Sequence, residues 1–295
     1  MGSDSNQNGR SLRHVQTAAV RYDPDRNQYR LSPTAAIRAA GLEADATIRY
    51  GLDRLEALGV VPVVAADDEP ADDPEPRTNS GALDLSYAVQ SPESGEDFRL
   101  EIPEAVLDAL HIDAGGDAED TDAERTSADA ARPLLDVYAG EGVIAVGGPT
   151  TETVPAELLP DDVAVEGEAL TLQLVQTTTP RYQGTTLAAA ITPAFNRAGG
   201  DFAAVEFRPI TDHEGFVLAV ARADATGPNT RSVYRQGPDK QGAAVSLPEE
   251  VLAALDLERA DFEGVPHDER PALAVYAGDD VLAFGHPPHR EFPAA

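Results

Sequence analysis

The chain has 295 residues, 42% of them hydrophobic, with 52 Asp and Glu against 22 Lys and Arg, a formal charge of −30. It is long enough for two modest cores, and with no cysteine it has neither disulfides nor thiolate metal sites. No apolar run approaches the roughly 20 residues of a membrane span, and the start "MGSDSNQNGR" lacks the apolar stretch of a signal peptide, so a cytoplasmic protein is expected. Among the basic residues only Lys240 is lysine. A disordered acidic chain would lack the periodic Val, Leu and Ala runs present here. The composition therefore reads as adaptation to a high-salt cytoplasm, that of an extreme halophile. Multimolar salt shortens the Debye length to about 3 Å or less, so net charge alone does not exclude an acidic partner such as nucleic acid.

In chain order, "HVQTAAVRYDPDRNQYRLSPTAAIRAAGL" from His14 predicts a strand, an Arg-Tyr pair, a turn, a second strand and a helix entered at Ser32-Pro33. An acidic, Pro-rich linker follows at Asp67 to Ser80. "LEIPEAVLDALHID", from Leu100, is a short strand running into a helix at Pro103, with Ile102, Val106, Ala109 and Leu110 on one face. The stretch from Asp113 to Arg132 has the composition of an acidic loop, and "LLDVYAGEGVIAVG" predicts a β-hairpin around Gly140 to Gly142. After a second linker the same features return: "LVQTTTPRYQGTTLAAAITPAFNRAGG" from Leu174, "VSLPEEVLAALDLE" from Val245, and "LAVYAGDDVLAFG" around Gly278 to Asp280. Ser32 and Thr192 are expected helix N-caps.

The chain is thus duplicated in whole supersecondary units, reading odd, even, odd, even: about 14–67, 81–148, 169–224 and 229–286. The odd-even pairing predicts a first domain at 14–148, a linker at 149–168 and a second domain at 169–287.

A strand ending in Ile/Leu-Pro, a helix with a Val-x-x-x-Leu-x-Ile core, then Gly-Asp and a hairpin resembles the AbrB/MazE/SpoVT family of swapped-hairpin DNA-binding domains. "RLEIPEAVLDALHIDAGGD" matches that pattern nearly throughout, "AVSLPEEVLAALDLERAD" matches without the Gly, and "GTTLAAAITPAFNRAGGDFAAVEF" is the weakest copy. The resemblance implies a mainly β (α+β) fold with short helices: two tandem swapped-hairpin β-barrels, each a pseudo-dimer of an odd and an even unit. Proline at each helix start, Pro33 with Pro103 and Pro193 with Pro248, would then be equivalent by pseudo-symmetry.

Charge is unevenly spread. Residues 1–54 hold 8 Arg against 6 acidic side chains and residues 169–222 hold 4 against 4, whereas residues 81–148 hold 3 against 16. Sparing the odd units from acidification asks for a cause. A phosphate-facing surface supplies one: Arg10, Arg13, Arg21, Arg26, Arg30 and Arg38 cluster where the resembled family places Arg, with Arg181 and Arg197 in the second copy. Arginine grips phosphates bidentately and reads guanine edges. Burial of the odd units against another domain or subunit is the alternative cause. Glu104, Glu249 and Glu250 at the even helix starts would repel phosphate.

Enzymatic signals are weak. His286 and His289 in "HPPH" are separated by prolines that preclude a regular helix presenting both. His14, His111, His213 and His267 match no nucleophile motif, and "GEGVIAVGG" follows a hairpin instead of opening a helix. Tyr138 and Tyr276, repeated in "VYAG", read as core or rim residues before ligand-stacking ones. The expectation is a non-enzymatic, DNA-binding, transcription-regulator-like protein without cofactor or metal. The alternative is a protein-interaction module resembling a MazE-type antitoxin or scaffold, binding a protein through its acidic even units. Homo-oligomerisation stays open and a membrane partner is not expected.

Overall fold

The computed structural model describes residues 10–24, 26–43, 46–51, 59–65, 85–88, 98–112, 133–160, 162–163, 165, 167–210, 215–227, 229–236, 242–267 and 269–292. The acidic stretches at 67–80 and 113–132, and His213, lie outside the described residues. The fold is mainly β, with four short α-helices among the described residues and antiparallel pairing throughout the described strands. No described helix is long and apolar enough to cross a membrane. Residues up to Pro149, joined by those from His289 onward, make one compact unit, and Thr150–Pro288 make the other.

The first unit contains β1 (Arg10–Ala19), β2 (Arg21–Asp23), β3 (Gln28–Leu31), α1 (Thr34–Ala40), β4 (Thr47–Tyr50) and β5 (Val61–Ala65) as its first half. The second half is β6 (Leu85–Ala88), β7 (Leu100–Ile102), α2 (Glu104–Ala109), β8 (Leu134–Gly140) and β9 (Val143–Gly147). The pairing crosses between halves: β1 lies on β8, β3 on β7, β4 on β6 and β5 on β9. The second unit comprises β10 (Thr151–Pro155), β11 (Ala169–Thr178), β12 (Arg181–Gln183), β13 (Thr186–Ala190), α3 (Thr192–Arg197), β14 (Ala204–Pro209) and β15 (Phe216–Arg222). It continues with β16 (Thr230–Gln236), β17 (Gly242–Ser246), α4 (Glu249–Ala254), β18 (Leu273–Gly278) and β19 (Val281–Gly285). Its cross-half pairs are the counterparts of those in the first unit: β11 on β18, β13 on β17, β14 on β16 and β15 on β19.

This pairing makes one core from two halves. In the first unit Leu31, Ile37, Ile48 and Val61 pack in one cluster with Leu100, Ile102, Val106 and Ile144. In the second, Leu187, Phe195, Val205 and Phe207 do so with Val245, Leu252, Val275 and Phe284. Each such side chain contributes roughly 1.5–3 kcal/mol by leaving water. The hairpin strands β8, β9, β18 and β19 are buried on both faces, which is why they read as unbroken apolar runs. Tyr138 and Tyr276 belong to the clusters on the second face.

The helix starts are capped differently from the expectation. Pro33, not Ser32, is the N-cap of α1, and Thr192 is the first helical residue of α3 after Ile191. The side chain that caps each helix comes from the repeated VQT strand. A β-bulge shifts the register between His14 and Gln16, and again between Leu174 and Gln176, turning the glutamine toward the helix. The Gln16 amide accepts from Ala35 N–H and donates to the Ser32 carbonyl, at 3.1 and 3.2 Å. Gln176 accepts from Ala194 N–H and donates to the Ala190 carbonyl, at 3.4 and 2.8 Å. The first-turn threonines tie the halves together instead: Thr34 Oγ1 accepts from Phe98 N–H and Thr192 Oγ1 from Ala243 N–H.

Two further expectations change. The described pairings run as open ladders, so neither unit is a closed barrel among the described residues. The span 149–168, expected to be a linker, holds β10, which pairs with β11 along its whole length. The equivalent edge of the first unit is filled from far along the chain: β20 (His289–Phe292) pairs with Arg10–Arg13 of β1. That pairing also gives His289 of the "HPPH" segment a strand position. Where β1 crosses the β8 end, a Cβ on Gly140 would lie 2.8 Å from the Ser11 carbonyl oxygen, and where β11 crosses the β18 end one on Gly278 would lie 2.9 Å from Leu172 Cδ2. The glycine of "VYAG" is thereby accounted for.

One polar cluster breaks the symmetry. His14 and Asp136 are fully buried, 3.5 Å apart, and Thr17 Oγ1 donates to Asp136 at 2.7 Å. The register places Leu174 and Ala274 at the corresponding sites of the second unit. His14→Leu or Asp136→Ala alone is expected to destabilise the first unit by about 1–3 kcal/mol, because each leaves a buried polar partner short of a hydrogen bond, while the double variant recovers most of the loss in denaturant unfolding. Gly140→Ala is expected to cost about 1–3 kcal/mol through overpacking, measured the same way.

Candidate nucleic-acid interface

The arginines of the first hairpin are placed by strand register. Residues directly opposite in antiparallel strands share a face, and the ladder sets Arg21 opposite Arg30 and Arg30 opposite Glu101. The row Arg21, Arg30, Glu101 therefore crosses all three strands of the β2-β3-β7 sheet. Asp23 joins the same face two residues from Arg21, and its carboxylate forms an ion pair with Arg30 Nη1. Arg30 Nη2 is buried and has no hydrogen-bond partner among the described residues. Arg26 sits in the four-residue turn between Asp23 and Gln28 and is exposed.

Electrostatics on this face are mixed. Burial pushes the Glu101 carboxyl above its ordinary pKa, against the opposing pull of Arg30 and then Arg26. Three guanidiniums thus stand with two carboxylates, and only Arg21 and Arg26 are exposed.

The remaining arginines are elsewhere. Arg13 is exposed on β1, opposite Ala139 on one side and His289 on the other, and Arg10 is opposite Phe292. Arg38 is exposed on the last turn of α1. In the second unit the matching row is Arg181, Ala188, Ser246, which holds a single cation. Arg181 Nε donates to His267 Nε2 at 3.1 Å, and Arg197 is exposed at the end of α3. The second unit's other cation pair is internally neutralised: Arg208 and Arg222 both bond to Glu206 and Asp162, at 2.6–3.0 Å for the closest contacts. The hydrogen bond from Arg208, foremost, holds the Glu206 carboxyl below its ordinary pKa.

Register is the information that sequence reading lacked. Asp23 and Glu101 as members of the arginine face, and the His14–Asp136–Thr17 cluster, all depend on which residues lie opposite one another. The last of these groups histidine, carboxylate and hydroxyl, but the His14 and Asp136 side chains have no exposed surface, so no substrate atom can reach them in this conformation. Comparison with family models, with curated proteins and with solved structures gives no match for this chain.

Glu101→Gln is expected to stabilise the first unit at pH 7. The folded carboxyl titrates above its unfolded value, so the wild-type chain loses stability as pH rises through that range, whereas the amide does not. The gain should vanish below the carboxylate range in urea unfolding followed against pH, and a loss of stability at pH 7 would refute it.

Proposed function

We propose that the protein is a DNA-binding regulator of the AbrB type, holding duplex DNA against the β2-β3 hairpin of its first unit. The observation that carries this reading is the hairpin itself, with Arg21 and Arg26 exposed on a chain whose formal charge is −30. Support comes also from the crossing of strands between halves, the relation expected of a swapped-hairpin pseudo-dimer. On this reading each unit is one covalent pseudo-dimer, and the hairpin corresponds to the Arg-bearing N-terminal strand, turn and helix start of the resembled family. Arg21 and Arg26 contact phosphate, and Arg30, engaged by Asp23, holds the hairpin together. The second unit, with one arginine in its row, contributes less. The strong acidity of the rest serves solubility in a high-salt cytoplasm, and its carboxylates offer phosphate no counter-charge at contact distance.

A second reading has an observation of its own. Asp23 and Glu101 interleave with the arginines, and such a mixed-charge face suits a complementary protein surface, as the protein-interaction alternative requires.

Arg21→Gln/Arg26→Gln leaves the Arg30–Asp23 pair intact. With binding to mixed genomic duplex fragments titrated against salt, the double variant is expected to lower the slope of log affinity against log salt by about 1 for each phosphate it no longer grips. An unchanged affinity and slope would favour the protein-binding reading.

A further inference from the structure

The hairpin carries an aromatic residue as well as cations, and the two units treat it differently. Tyr22 is the large hydrophobic side chain found exposed among the described residues, at 40%. It lies on β2, the outer strand of the three-stranded sheet, so successive residues Arg21 and Tyr22 flank one open edge from its two faces. Its ring packs on Tyr29 with centroids 5.2 Å apart, and its hydroxyl donates to Asn27 Oδ1 at 2.5 Å. Asn27 reaches that position through a left-handed backbone, φ 52°, which asparagine tolerates better than most residues.

The counterpart, Tyr182, has another fate. It packs against the core of the second unit, with its hydroxyl buried and without a partner among the described residues. The two hairpins differ in turn length and in the residue opposite the tyrosine, Tyr29 in the first and Leu187 in the second. The second hairpin turns through Gly184 and Thr185 alone, Gln183 pairing with Thr186; the first turns through four residues and so supplies Asn27. The longer turn satisfies the tyrosine hydroxyl within the hairpin, and the ring, on the face it shares with Tyr29 and Ile102, stays 40% exposed at the open edge of the sheet. Held by Tyr29 and Asn27, the ring loses little rotamer freedom when a ligand covers it.

Resting on the DNA-binding reading, we infer that Tyr22 is the base-reading side chain of the hairpin. It contacts base edges, the thymine methyl foremost, in the major groove of a duplex whose phosphates are held by Arg21 and Arg26. The major groove admits a two-stranded β-ribbon, and apolar contact with the thymine methyl is a form of direct readout there, whereas phosphate contacts position without reading sequence. The division of labour gives distinct signatures. Phosphate-contacting arginines act on the salt slope, and Tyr22 acts on sequence preference.

The experiment selects a preferred duplex for the full wild-type chain from a random pool, then measures single-base variants of it at fixed salt. Tyr22→Ala is expected to flatten the preference at one or two positions by about tenfold, with the salt slope unchanged. Asn27→Ala keeps the ring but unlocks it, and should flatten the same positions by a smaller factor, so the inference remains testable if Tyr22→Ala compromises folding. Tyr182→Ala should leave the preference intact. A wild-type preference that survives Tyr22→Ala and Asn27→Ala overturns the inference while leaving DNA binding in place. Absence of duplex binding by the wild-type chain overturns both. Preference for single-stranded over duplex DNA also overturns the inference, since the ring would then be a stacking platform.

Discussion

Neither half of a unit can bury its own sheet. A hairpin with one short helix exposes as much apolar strand surface as it covers, and here the deficit is met by pairing β5 with β9 and β3 with β7, and their counterparts in the second unit. Everything else in the structure depends on that exchange. The Gln16 and Gln176 caps, the threonine ties and the close approach at Gly140 are short-range fittings that hold one half in register on the other. A one-residue slip would turn Leu100 and Ile102 out of the core. It would also scatter the Arg21, Arg30, Glu101 row, so the surface exists only because the core fixes the register beneath it.

Much of this organisation could be read from the sequence. Repetition exposed the duplication, and the proline-led junctions at Pro103 and Pro248 located helix starts to within a residue. The apolar stripe identified Val106 as buried. What could not be read was anything decided by long-range register. Ser32 has the chemistry of an N-cap, but a bulge 16 residues earlier delivers a better-placed amide from Gln16. Tyr22 and Tyr182 follow the same Arg on the same face of the same kind of strand, yet the hairpin with two more turn residues leaves its tyrosine exposed at the edge while the other packs against a core. Asp136 sits in an apolar run and gives no sign that its partner is His14, 122 positions away, although the pair is plain from its counterpart residues Leu174 and Ala274 once the strands are aligned.

The duplication also acts as an internal comparison. Two copies with matching strand pairing carry different polar equipment: a buried His-Asp pair and an arginine row in the first, an Asp162, Glu206, Arg208, Arg222 cluster in the second. Fold-level constraints, the capping glutamines and tight glycines, are kept in both. Shared features therefore belong to folding, and the unshared ones are where separate roles for the two copies have room to reside.

The β20 strand has a bearing on how the chain emerges during synthesis. The second unit receives its edge strand, β10, immediately before β11, so that unit is supplied in order. The first unit must wait for His289–Phe292, made after the whole of the second. Until then the Arg10–Arg13 edge of β1 presents unpaired backbone N–H and C=O groups, the type of template on which strands of nascent neighbours assemble.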